Sequence, residues 1–138
     1  MYAGAGDVGY SGTSAEIAAF YASGLLHLEG GIEAGASPIG WQVLAPLRGG
    51  VGWERGQLEM EALLELDPGA ALFQQGPLLL LGGGILGRIA WSLGPSFSVY
   101  ATAGVRLTAC PAYGSSMGID YTTLDLPLAI GVRWNIGR

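Results

Sequence analysis

The chain has 138 residues, half of them hydrophobic and only 12% charged, with no lysine. That length fits one domain and is enough for a closed eight-stranded sheet, but the charge is about half of the roughly 25% that an ordinary soluble domain carries, so a water-facing surface is hard to build from it. A net charge of −5 excludes a basic surface for nucleic acid, and the single cysteine, Cys110, excludes an internal disulfide and a cysteine-based metal site.

Residues 1 to 10 show no charged and apolar leader with a cleavage site, so no export signal is read from them. They place Tyr2, Gly4, Gly6, Val8 and Tyr10 in one row and are expected to form a first strand. Ile17, Ala19 and Tyr21 give the apolar row of a second strand over 15 to 22. Thr13 followed by Glu16 is also a helix-capping pattern, so a short helix over 13 to 23 is the competing expectation there. Ser23-Gly24 turns into a third strand over 25 to 36, with Leu26, Leu28, Gly30, Ile32 and Ala34 opposite His27, Glu29, Gly31 and Glu33.

The fourth strand, 40 to 54, sets Trp41, Val43, Ala45, Leu47, Gly49, Val51 and Trp53 against Gln42, Leu44, Pro46, Arg48, Gly50, Gly52 and Glu54. An Arg55-Gly56 hairpin loop is expected to pair Trp53 with Leu58 and Val51 with Met60. The fifth strand, 57 to 67, sets Leu58, Met60, Ala62, Leu64 and Leu66 against Glu59, Glu61, Leu63 and Glu65, and a loop of about eight residues follows, over 67 to 75. The sixth strand, 76 to 92, and the seventh, 96 to 111, are joined at Leu93-Gly94-Pro95, pairing Trp91 with Phe97, Ile89 with Val99 and placing Arg88 beside Tyr100. After a second long loop, Pro111 to Gly118, the eighth strand, 119 to 136, has Leu124, Leu126, Leu128, Ile130, Val132, Trp134 and Ile136 on one side. Thr123, Asp125, Pro127, Ala129, Gly131, Arg133 and Asn135 lie on the other.

All four tryptophans thus fall in the apolar row, and Arg48, Arg88, Arg106 and Arg133 fall in the opposite one with the small and acidic residues. That two-faced alternation over an even number of strands, with short and long connections in turn, is the pattern of an all-β, antiparallel up-and-down transmembrane β-barrel of eight strands in a single domain, 1 to 138. The alternative is a soluble lipocalin-like barrel that turns its apolar row inward around a small apolar ligand. It would need a charged outer face, which the small-residue row does not supply. Trp41 and Trp53 are twelve residues apart, which at ~3.3 Å per residue and a tilt of ~40° spans about 30 Å, enough to put one ring at each edge of an apolar band of roughly 25 Å. Trp41, Trp53, Trp91 and Trp134 are therefore expected to be lipid-interface anchors, the last three at the short-turn end. The run PLLLLGGGILG is too interrupted by glycine and by Arg88 for a membrane helix.

Glu29, Glu59, Glu61 and Asp125, with Arg48, Arg88, Arg106 and Arg133, are expected to form a charge network in the lumen, joined by Glu33, Glu54, Glu65 and His27. In a barrel of eight strands such a network reads as a structural plug ahead of a narrow, cation-favouring pore. His27 is the only histidine, and no nucleophile elbow, metal-ligand spacing or phosphate-cradling loop accompanies it, so neither an enzyme nor a cofactor is expected.

The chain resembles the small eight-stranded outer-membrane proteins of Gram-negative bacteria, of the OmpA and OmpX type. The resemblance is architectural over the whole length and specific in LAIGVRWNI, where Gly131, Trp134 and Ile136 match the glycine, aromatic and hydrophobic positions of that class's C-terminal β-signal. Ala129 stands where a polar residue is usual, and Gly137 and Arg138 follow the last hydrophobic. The resemblance implies a monomer in the bacterial outer membrane, with the lipid bilayer and the barrel-insertion machinery as partners. The modest loops make adhesion a weak expectation.

Overall fold

The computed structural model describes residues 13–37, 40–73, 76–109 and 122–134. They form one antiparallel sheet of nine strands with no helix: β1 (Thr13–Ser23), β2 (Leu26–Ser37), β3 (Gly40–Leu44), β4 (Leu47–Arg55), β5 (Leu58–Phe73), β6 (Gly76–Gly94), β7 (Phe97–Ala109), β8 (Thr122–Asp125) and β9 (Leu128–Trp134). Each strand pairs with its neighbours in chain order. Both β3 and β4 lie between β2 and β5, and both β8 and β9 pair with β7, so each couple is one strand in two pieces.

Proline makes both breaks. Pro46 and Pro127 accept hydrogen bonds from Gly31 and Gly104, at 2.9 and 3.2 Å, but have no N–H to return them. The alternation survives each break, because Trp41, Val43, Leu47, Val51 and Trp53 remain on one face, as do Leu124, Leu126, Leu128, Ile130, Val132 and Trp134.

Residues 13 to 23 form the expected strand and not the competing capped helix, held by eleven register pairs with β2. Three expectations need correction. The hairpin turns sit one residue later than expected. Arg55 pairs with Leu58 across Gly56-Gln57, so Trp53 faces Met60 and Val51 faces Ala62. Trp91 faces Val99, Ile89 faces Ala101 and Arg88 faces Thr102, with an irregularity between Ser92 and Gly94. Glycine decides the first of these turns, since Gly56 adopts φ 67°, which arginine would adopt only at a cost; Gly24, with φ 59°, does the same between β1 and β2. Because each slip is two residues in the pairing, no side chain changes face.

The third correction is the expected loop over 67 to 75, most of which is strand: β5 and β6 stay paired to Phe73 and Gly76. Pro68 does not end β5 because its backbone faces β3 and β4, where its carbonyl accepts from Ala45 at 2.8 Å beside the existing break. The ladder to β6 loses nothing. The first expected strand, 1 to 10, the loop Pro111 to Gly118, Cys110 and Ile136 lie outside the described residues.

The faces settle which side is inside. Trp41, Trp53, Trp91 and Trp134 are 64, 49, 48 and 72% exposed, whereas Arg48, Arg88, Arg106 and Arg133 are 7, 3, 8 and 7% exposed. The polar row is the buried one. The sheet curves around it far enough for side chains of non-adjacent strands to meet, and Arg133 of β9 reaches the Phe20 ring of β1, 3.9 Å from its centroid. Among the described residues no backbone pairing joins β1 to β8 or β9.

Candidate functional site

Strand alternation aims every second residue of seven ranks into one interior, and the sequence fills those positions with arginine and glutamate at matching heights. Arg48 of β4 donates to Glu16 at 2.5 and 2.8 Å, to Glu65 at 2.5 Å and to Glu29. Arg88 of β6 donates to both oxygens of Glu29 at 2.7 and 2.9 Å, to Glu61 at 3.0 Å and to the Thr102 hydroxyl at 3.0 Å. Glu29 therefore links the two guanidiniums.

Arg106 of β7 donates to Glu65 at 2.8 Å and Glu33 at 3.2 Å, and its Nε lies 2.9 Å from Asp67 Oδ2. Neither Asp67 oxygen accepts a hydrogen bond, because that N–H is aligned on Glu65, and Asp67 is fully buried. Arg133 of β9 donates to Glu59 at 3.0 Å and Glu61 at 2.7 Å. Planar, multiply donating guanidiniums suit such shared carboxylates better than lysine would, which accounts for an arginine-only set of cations.

His27 stands at the hairpin end of this network. Its Nδ1 is 2.9 Å from Glu61 Oε1 and 3.4 Å from Glu59 Oε1. A carboxylate only accepts, so Nδ1 carries the ring proton. The ring is wedged edge-on against Phe20, with centroids 5.3 Å apart, and lies over Gly52, where a Cβ would come within 2.2 Å of it. Arg88 stacks over Tyr100 at 4.6 Å.

The structure thus brings Arg48, Arg88, Arg106, Arg133, Glu29, Glu59 and Glu61 into one network, with His27, Glu33 and Glu65. Asp125 stands at its margin, opposite Arg106 in the β7–β8 register and bonded at 3.4 Å by the Thr123 hydroxyl. Sequence reasoning left two residues out of the network: Glu16, which it also weighed as part of a helix cap, and Asp67, at the start of an expected loop. The signal for Asp67 was the unbroken odd-numbered row Glu59, Glu61, Leu63, Glu65, which Pro68 obscured.

The tryptophans stand outside. Trp53, Trp91 and Trp134 gather at the hairpin end with Tyr21, which is 61% exposed, and Trp41 lies toward the other end. Trp134 packs edge-on against Phe97, 6.2 Å between centroids. Gly131 faces inward beneath the Tyr100 ring, where a Cβ would lie 2.3 Å from Cζ, so a larger residue here requires the ring to move.

A cavity of about 670 Å³ lies between β1 and β8–β9, lined by Glu16, Glu33, Arg48 and Arg106 and reaching Arg88 and Tyr100. For metal binding, His27, Glu59 and Glu61 hold their donor atoms within 4.8 Å of one another. Comparison with protein-family profiles, with curated proteins and with solved structures gave no match.

Proposed function

We propose that this chain is an integral β-barrel of the bacterial outer membrane whose role is structural, its lumen closed by the arginine–glutamate network. One observation carries the reading: the burial pattern is inverted. Four arginines and their carboxylates are inside, while Ile17, Ile32, Leu64, Ile85, Ile130 and Val132 are each at least 64% exposed. Water would penalise such an exterior and reward the reverse, whereas hydrocarbon rewards this one. A carrier of a small apolar ligand needs the apolar row inside, and the interior is ionic.

In this reading 1 to 10 supply the rank between β1 and β8–β9 and complete an eight-stranded, monomeric barrel. Trp41 marks one interface and Trp53, Trp91 and Trp134 the other. Gly131, Trp134 and Ile136 would be the positions read by the insertion machinery. Sixteen-residue β5 and nineteen-residue β6 exceed the ~9–11 residues a tilted strand needs to cross, so their hairpin projects beyond the bilayer.

Folding from denaturant into detergent micelles tests the proposal. The expected result is a β-rich circular-dichroism spectrum with a band whose gel mobility shifts on boiling, both lost when residues 1 to 12 are removed, and no steady conductance in planar bilayers. A β-rich monomer that is stable in buffer without detergent would overturn it.

A further inference from the structure

We infer that His27, Glu59 and Glu61 form a binding site for one divalent first-row transition ion, Zn²⁺ being the best match. The three donor atoms, His27 Nδ1, Glu59 Oε1 and Glu61 Oε1, converge with Nδ1–oxygen separations of 3.4 and 2.9 Å. Tetrahedral zinc with ligands at about 2.0–2.2 Å spaces them about 3.4 Å apart. The other oxygen of each carboxylate is held by arginine, Glu59 Oε2 by Arg133 at 3.0 Å and Glu61 Oε2 by Arg88 at 3.0 Å. Those bonds orient the Oε1 atoms toward the imidazole and persist with an ion bound, as the outer hydrogen bonds of metal-ligating carboxylates do. Only the Arg133 Nη2 bond to Glu61 Oε1 must yield.

A second observation points to a cation independently. Glu16, Glu29, Glu33, Glu59, Glu61, Glu65, Asp67 and Asp125 face four guanidiniums and one imidazole, so carboxyl groups outnumber guanidiniums eight to four in the described interior. Imidazole among the donors favours zinc or a neighbouring transition ion over magnesium or calcium. On binding, Nδ1 must present its lone pair, so the ring proton moves to Nε2. Gly52 and Phe20 fix the ring, so the site needs little rearrangement. The inference depends on these side-chain positions and not on the membrane reading.

The test is Co²⁺ titration of the full chain, folded in detergent and stripped with a chelator. One equivalent should give visible d–d absorption that Zn²⁺ abolishes. Glu59→Gln and His27→Gln should each weaken binding by about 10–100-fold, while Glu33→Gln, in the other half of the interior, should leave it unchanged. Because His27 is the only histidine, its ring ¹⁵N resonances give a readout without any variant and should shift at Nδ1 on adding Zn²⁺. Absence of Co²⁺ absorption, an unmoved Nδ1 resonance, or equal affinity in folded Glu59→Gln would overturn the site.

Discussion

The two halves of the interior are built from the same residue types in different proportions. At the hairpin end, Glu59, Glu61 and His27 meet Arg88 and Arg133, and the rings of Phe20 and Tyr100 cover the cations. In the opposite half, Glu16, Glu33, Glu65, Asp67 and Asp125 crowd around Arg48 and Arg106, and the cavity runs from there to Arg88 and Tyr100. Leu63 and Leu86, paired in register and each 2% exposed, lie between Glu61 and Glu65 on one strand and beside Arg88 on the next. In the proposed barrel the first half would act as a seal and the second as a carboxylate-rich recess. An ion entering from the recess would there meet the Arg88–Glu29 and Arg133–Glu61 pairs.

The largest expected effect is at the hub of the seal. Arg88→Met leaves Glu29 and Glu61 short of a buried partner and should lower stability by about 3–5 kcal/mol, read from urea unfolding in detergent. A loss below about 1 kcal/mol would mean that water replaces the guanidinium and that the seal is wet. Next comes the outer face, where the halves should not differ. Val105→Arg, near the middle of β7, should cost about 2–4 kcal/mol of folding into bilayers, and Leu93→Arg, at the hairpin end, about 0–1. Equal costs at the two positions would remove the depth dependence that a lipid-facing exterior requires.

Much of this was legible because the side-chain period in a strand is two: every arginine of the network and all four tryptophans could be assigned to a face before any register was known. Register itself was less legible. Arg55-Gly56 and Gly56-Gln57 are both acceptable two-residue turns, and a choice between them needs the positive φ of Gly56 at the first turn position. Pro46, Pro68 and Pro127 misled in a different way. A sequence shows that an N–H is missing but not toward which neighbour it would have pointed, so Pro68 looked like an end and is a position inside β5. Glu16 was hidden because a capping pattern and an inward strand residue are the same letters.

Gly131 separates packing from recognition within the seal. Gly131→Val should drive Tyr100 off its place over Arg88 and cost about 1–3 kcal/mol through overpacking. Adding Tyr100→Ala should restore most of that stability in detergent. If assembly in cells remains impaired in the double variant, Gly131 is also read during insertion; if it recovers, packing is the whole of its role.

The smallest effect falls in the recess and tests the contrast from the other side. Asp67 is fully buried with neither oxygen hydrogen-bonded, and the guanidinium beside it already serves Glu65 and Glu33. Asp67→Asn keeps the shape and replaces one carboxyl oxygen that has no hydrogen bond by an amide nitrogen that can donate to the neighbouring carboxylates. It should therefore be neutral or stabilise by about 1 kcal/mol, since an unsatisfied buried acceptor is lost and little is left unpaired. Glu61→Gln, the matching change in the seal, removes a carboxylate shared by His27, Arg88 and Arg133 and should instead destabilise the fold. Paired unfolding curves compare the two directly. If both variants lose the same stability, Asp67 is as well paired with Arg106 as Glu61 is with its partners, and the interior is one uniform network and not a seal with a recess above it.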